Sequence, residues 1–173
     1  MRKISPFVPT PQHVVRRALE LAGVREDDVV YDLGSGDGRF VLTAAKEFNS
    51  KAIGVEIRRS LVEETLRRVR KEKLEEQVQI IHDDMFKVNL SDATVVTSYQ
   101  LKSINMALKP MLEDQLKPGT RVIAIDFPIQ GWKPVFVEKV KGGWHNKRYY
   151  TIYVYVIKPH IAKRPMLGFE VMK

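Results

Sequence analysis

The residues of this 173-residue chain best suited to chemistry stand in one run, Val29-Val30-Tyr31-Asp32-Leu33-Gly34-Ser35-Gly36-Asp37-Gly38-Arg39-Phe40. A short apolar strand breaks there into three glycines spaced G-x-G-x-G. Glycines at a strand-to-helix turn permit positive φ and let a ligand approach the backbone with no Cβ in the way. A dinucleotide fold wants G-x-G-x-x-G. Here that last position is Arg39, and Gly38 comes one residue early. Asp32, two residues before the first glycine, suits a ligand carrying positive charge rather than a pyrophosphate. S-adenosylmethionine, with its ammonium and sulfonium centres, is such a ligand.

Two further acids follow at matching places. Gly54-Val55-Glu56-Ile57 closes a second apolar run, and an acid roughly twenty residues beyond a glycine loop is placed to accept hydrogen bonds from ribose hydroxyls. His82-Asp83-Asp84-Met85-Phe86 closes a third. Asp84 there can accept from an adenine amino group while Met85 lies against the ring, and Asp83 reads as a turn residue. The candidate cofactor contacts from these three runs are Asp32, Leu33, Gly34, Ser35, Gly36, Glu56, Ile57, Asp84 and Met85. Acids at the carboxyl ends of successive strands lie on the edge where open α/β sheets bind ligands.

The transferred group should point toward the end of the fourth strand, Thr97-Ser98-Tyr99-Gln100-Leu101. Enzymes that methylate exocyclic base amines generally carry Asn/Asp-Pro-Pro-aromatic there, and this chain does not. Tyr99 is expected both to touch the cofactor and to line a narrow channel for an alkyl amine, with Phe127 and Trp132 as further walls. All three aromatics have core packing as their alternative reading. His82 and His145 each stand alone at a turn, a setting in which histidine seldom serves as a base.

Positioning these groups requires a parallel sheet covered by helices, and apolar and amphipathic runs do alternate. The spacing predicts a leading helix over 11–23, with Val15, Ala18, Leu19 and Ala22 on one face. Strands follow at 29–33, 51–57, 78–81, 93–97 and 121–125. Between them lie a helix with the stripe Val41, Ala44, Ala45 and Phe48, and another carrying Val62, Thr65, Leu66 and Val69. Ser60 with Glu63 reads as the capping box of the latter, and its face of Arg67, Arg68, Arg70 and Lys71 reads as solvated. Only about ten residues separate the third and fourth strands, so the usual crossover helix must be short or absent. Pro110 predicts a kink or two short helices within 101–116. Strand-like runs at 133–140 and 148–157, joined by Gly142-Gly143-Trp144-His145-Asn146, read as a β-hairpin. The fold class is α/β, and five parallel strands followed by a β-hairpin resemble the outline of a known Rossmann-like seven-stranded sheet, which implies a mostly parallel sheet with an antiparallel last strand and helices on both faces. The length suits a single domain over 1–173. Its parts are an arm and leading helix over 1–27, a core over 28–157 and a tail over 158–173 that holds His160, Lys163, Arg164 and Pro165.

Cysteine is absent, which excludes disulfides, thiolate nucleophiles and cysteine-ligated zinc. No stretch has the apolar pattern of a signal peptide or bilayer span, so a cytoplasmic protein is expected. High charge without cysteine is compatible with a thermophilic source. The formal charge of +8 would suit nucleic acid, though solvated lysine faces give the same number.

The chain resembles the class I S-adenosylmethionine-dependent methyltransferases over nearly its whole length. Pro6-Phe7-Val8-Pro9-Thr10-Pro11, Asp32 to Arg39, Leu116 to Val122, Phe127-Pro128 and Gly131-Trp132 are similar to the small archaeal protein-lysine methyltransferases. Eukaryotic relatives of that group methylate mitochondrial membrane proteins. The resemblance implies that the proline-rich arm lies over the cofactor, making Thr10 a contact. It also implies attack by a neutral lysine ε-amine on the S-methyl group, with relaxed choice among exposed lysines. Protein substrates, a monomeric enzyme and no membrane insertion are the corresponding expectations. A nucleic-acid methyltransferase and a non-catalytic binding module that kept the fold are the rival readings.

Overall fold

A computed structural model describes residues 7–144 and 147–159. The expectations placed on residues 1–6, His145, Asn146 and 160–173 lie outside the described residues.

Pro11 precedes α1 (Gln12–Leu21) and accepts its first backbone hydrogen bonds. Then come β1 (Val29–Leu33), α2 (Arg39–Phe48), β2 (Lys51–Glu56), α3 (Arg59–Lys71) and β3 (Val78–His82). β4 (Val95–Ser98), α4 (Lys102–Gln115), β5 (Arg121–Ile125), β6 (Phe136–Lys141) and β7 (Tyr149–Val156) complete the series. The seven strands form one sheet in the order β3-β2-β1-β4-β5-β7-β6. β1 to β5 are parallel, and β7 inserts between β5 and β6, antiparallel to both. Strand order reverses at β1, which pairs with both β2 and β4. That reversal opens the crevice in which such sheets take ligands.

The two-residue period of each strand divides the core. On β5, Ile123 and Ile125 join α1, α2 and α3 on one face, while Val122 and Ala124 face α4 and the 88–93 segment on the other. Leu19 and Leu33 are fully buried, and Leu108 and Leu112 nearly so; each such side chain contributes roughly 1.5–3 kcal/mol.

Several local expectations need correction. α3 begins at Arg59 with Arg58 as N-cap, so Ser60 lies within the first turn and caps nothing. The reason is that β2 stops at Glu56, whose Oε1 accepts the Arg58 N–H at 2.9 Å and turns the chain early. α4 runs unbroken through Pro110. The ring removes a bond to the carbonyl of Met106, but both residues are exposed, where losing one helix bond costs least. β4 and β6 each start two to three residues later than their apolar runs. Arg68 is not merely solvated: its Nη1 donates to the Asp37 carbonyl at 2.8 Å.

Candidate functional site

The register of β2, β1 and β4 places Gly54, Asp32 and Thr97 in one row. Thr97 Oγ1 therefore reaches Asp32 Oδ1, donating at 2.7 Å. Asp32 is buried, and burial pushes its carboxyl up to about 7, with the charges of Glu56 and Asp37 adding and the Thr97 hydrogen bond opposing. Glu56 at the end of β2 accepts the Gly36 N–H at 2.8 Å on one oxygen and the Arg58 N–H on the other. Each of its oxygens has a second lone pair. Asp84 Oδ1 accepts the Phe86 N–H at 3.0 Å, while Asp83 Oδ1 accepts the Asp84 N–H at 2.7 Å, the turn role expected of it.

All three loop glycines have positive φ, and each is filled by a side chain from a different element. A Cβ on Gly34 would lie 2.2 Å from Gln100 Nε2, one on Gly36 2.4 Å from the Phe7 ring, and one on Gly38 2.2 Å from Thr65 Cγ2. The loop thus receives the end of β4, the arm and α3 at once. Arg39 ties it to the arm: Nη1 donates to the Thr10 carbonyl, while Nε and Nη2 grip Asp37 at 2.9 and 2.6 Å. Burial alone would raise the Asp37 carboxyl, but the hydrogen bonds and charges of Arg39 and Arg68 hold it below its ordinary value.

Over the carboxyl ends of β1 to β4 lies a cavity of about 380 Å³, a size usual for small-molecule sites. Thr10, Asp32, Gly34, Ser35, Glu56, Ile57, Asp84, Met85 and Tyr99 line it, so most of the predicted contacts come together. Phe7 and Val8 add an apolar roof, and Gln100 part of the wall. Leu33 does not line it; its side chain is wholly in the core. Gly36 stands behind Phe7 and supplies only its backbone to Glu56. Phe127 and Trp132 are not brought to the cavity. Trp132 donates from Nε1 to Glu113 at 2.8 Å and meets Tyr155 edge-on at 5.6 Å, a packing role. Phe127 accepts on its carbonyl from Asn105 at 2.9 Å. His82 is exposed, with Nε2 3.1 Å from the Ile57 carbonyl, and does not line the cavity.

At the β4 end, Tyr99 donates to Asp126 Oδ2 at 2.7 Å and accepts from Arg148 Nη2 at 3.0 Å. Arg148 also pairs with Asp126 and lies over the Tyr150 ring, 4.8 Å from its centroid. Burial, then the Asp126 contact, push the Tyr99 phenol up to about 12. Asp126 and Arg148 were absent from the sequence-based candidates. The rule that picked out Glu56 and Asp84, an acid just at a strand's carboxyl end, applies to Asp126 after β5. Arg148 has no such local signal.

Residues 32–136 match the ANTKMT methyltransferase domain. The chain belongs to this methyltransferase family. A protein-lysine N-methyltransferase of Saccharolobus islandicus is 50% identical over 156 residues, covering 90% of this chain and 95% of that one. An adenine nucleotide translocase lysine N-methyltransferase of Mus musculus is 33% identical over 132 residues, covering 76% of this chain but 57% of that longer one. Among solved structures, an RNA methyltransferase from Salinibacter ruber in complex with S-adenosylhomocysteine superposes with a TM-score of 0.83. It is 40% identical, covering 90% of this chain and 97% of that one.

The methyl donor of the family, and of this member, is S-adenosylmethionine. The site fits it. Asp32 offers a carboxylate to an ammonium, Glu56 lone pairs to a ribose diol, and Asp84 with Met85 an acceptor and a soft face to adenine. Ser35 Oγ and Gln100 Oε1, on cavity-lining residues, are buried with no hydrogen-bond partner, a state costing about 1–3 kcal/mol each. Both atoms are closed off from the cavity itself, Ser35 Oγ by packing against Gly54. Among the described residues, no helix is long and apolar enough to cross a membrane.

Proposed function

We propose that this methyltransferase acts on lysine ε-amines of proteins, with relaxed choice among exposed lysines, as a cytoplasmic monomer. The observation that carries this reading is the end of β4. There Tyr99 presents an aromatic wall held by Asp126 and Arg148, in place of the Asn/Asp-Pro-Pro-aromatic turn that grips base amines. The lysine-methylating Saccharolobus relative, similar over almost its full length, supports it.

Bound in the cavity, S-adenosylmethionine supplies a methyl group already activated by a sulfonium, so alignment is the enzyme's main task. Asp32, Glu56 and Asp84 fix the cofactor along three strand ends, and Phe7 and Val8 exclude water from above. Tyr99 orients the incoming amine. With an ordinary pKa near 10.4, only about one lysine in a thousand is neutral at pH 7.4. Desolvation against Tyr99 and like charge from the sulfonium lower that value, which removes the need for a dedicated base.

RNA is the second reading, favoured by the name of the Salinibacter structure and by the charge of +8. Incubation with methyl-labelled cofactor and cell extract, followed by nuclease or protease, separates the two. Label that survives nuclease and is lost with protease is the expected result, and mass spectrometry should place it on lysine. Label removed by nuclease alone overturns the protein reading.

A further inference from the structure

The hydroxyl of Tyr99 has a fixed polarity. Its single proton is committed to Asp126 Oδ2, and one of its two lone pairs takes a hydrogen from Arg148. Asp126 is itself held from every side. Oδ1 accepts the Thr151 N–H at 2.9 Å, Oδ2 also takes Arg148, and the Asp126 N–H donates to the Thr151 carbonyl at 2.7 Å. Its φ of +63° lies in the left-handed region, which costs a residue with a Cβ on the order of 1 kcal/mol. Three strands, β4, β5 and β7, converge to hold one phenol on a residue that lines the cavity. With its pKa pushed up to about 12, this phenol neither ionises nor serves as a base near neutrality. One lone pair on its oxygen remains.

We propose that Tyr99 Oη accepts an N–H of the neutral acceptor amine, leaving the nitrogen lone pair turned to the methyl group. Asp126 and Arg148 are the positioning residues that keep Tyr99 from donating instead. The inference rests on the lysine reading above. A phenol free to donate would occupy the lone pair that must attack. The contact also has a limit set by valence: lysine and monomethyl-lysine, as neutral amines, have an N–H to give, and dimethyl-lysine has none.

The test uses peptides that differ only in bearing lysine, monomethyl-lysine or dimethyl-lysine, with turnover followed by mass spectrometry. Tyr99→Phe is expected to lower the preference for the first two peptides over the third about tenfold, the scale of one hydrogen bond. Asp126→Asn should be worse than Tyr99→Phe, because its amide nitrogen donates to Oη and frees the phenol proton for the amine. The double variant should return to the Tyr99→Phe level. Arg148→Met should lose activity that Arg148→Lys restores. Cofactor affinity by calorimetry should stay within about threefold for the single Asp126 and Arg148 variants, and thermal melts of every variant separate these effects from misfolding. Should Asp126→Asn fail that check, the two Arg148 variants decide.

Four results overturn the assignment: losses spread equally over the three peptides, Asp126→Asn no worse than Tyr99→Phe, a double variant no better than Asp126→Asn, or Arg148→Met as active as the wild type. Wild-type silence on the unmodified peptide would instead sink the lysine reading itself.

Discussion

At the scale of single residues, Asp32 carries the strongest conflict between stability and use. From the unfolded value near 3.8 up to about 7, the folded carboxyl keeps a proton that the unfolded chain has lost. Its contribution therefore favours the fold at low pH and fades as pH rises to about 7. Above that, an ionised buried carboxylate costs the free protein at most roughly 4 kcal/mol. Asp32→Asn is accordingly expected to melt several degrees higher than wild type at pH 8 while binding S-adenosylmethionine at least about 30-fold more weakly. Thermal melts and calorimetry on one preparation check both. Ligand affinity should also fall about tenfold per pH unit below 7, where the ammonium must first displace a proton, and level off above it. A flat titration between pH 5.5 and 8 would mean that Asp32 is already ionised in the free protein. The acids that build this site were legible from sequence because each ends an apolar run. Thr97 was not, since its bond to Asp32 depends on the register of β4 against β1. Nor was Arg148, which reaches Asp126 only because β7 enters the sheet beside β5.

Among the elements, the arm, α3 and the end of β4 all converge on the glycine loop, so disturbance of one should be felt by the others. Gly38→Ala puts a methyl group 2.2 Å from Thr65 Cγ2 on a backbone with φ of +79°. It should destabilise the fold by about 2 kcal/mol or more, seen as a lower midpoint in urea. Arg39→Ala should lower that midpoint by a smaller amount, on the order of 1 kcal/mol, because the half-buried Asp37 carboxylate loses its main partner. It should also raise the KM for S-adenosylmethionine about tenfold and speed amide hydrogen exchange around Val8 and Thr10, because the arm loses its tie to the loop. The order and type of these elements could be read from periodicity. Their ends were harder. A serine three residues before a glutamate imitates a cap wherever a strand happens to stop early, as it does before Ser60. Pro110 imitates a break wherever its missing bond falls toward water. The loop glycines were read as clearance for a ligand, yet the space beside each is taken by protein. Contacts of that kind join residues about 30 to 65 apart in the chain, and local pattern does not encode them.

For the molecule as a whole, the cavity joins the ends of four strands and the arm into one ligand-dependent unit. Cofactor at one fixed concentration, a hundred times its dissociation constant at pH 8, should stabilise the fold at that pH by about 2.7 kcal/mol. That corresponds to a rise in Tm of roughly 5–10 °C, smaller at pH 6 than at pH 8 because Asp32 is then protonated. An equal rise at both would detach ligand binding from that carboxylate. The mostly parallel sheet with its antiparallel last strand was expected from the alternation of runs, the closing hairpin and the family resemblance, whereas the strand order β3-β2-β1-β4-β5-β7-β6 emerged only in the fold.

The arm's fastening to the glycine loop has an evolutionary side. Arg39 grips the main-chain oxygen of Thr10, and a carbonyl is a property of every residue. Position 10 can therefore drift among side chains of similar volume, valine for instance, without loosening the clasp. One residue added or removed between Pro9 and Gln12 would carry that oxygen out of reach. As far as this clasp is concerned, selection should reject changes in length and leave the side chain at position 10 to answer only to the cavity it lines.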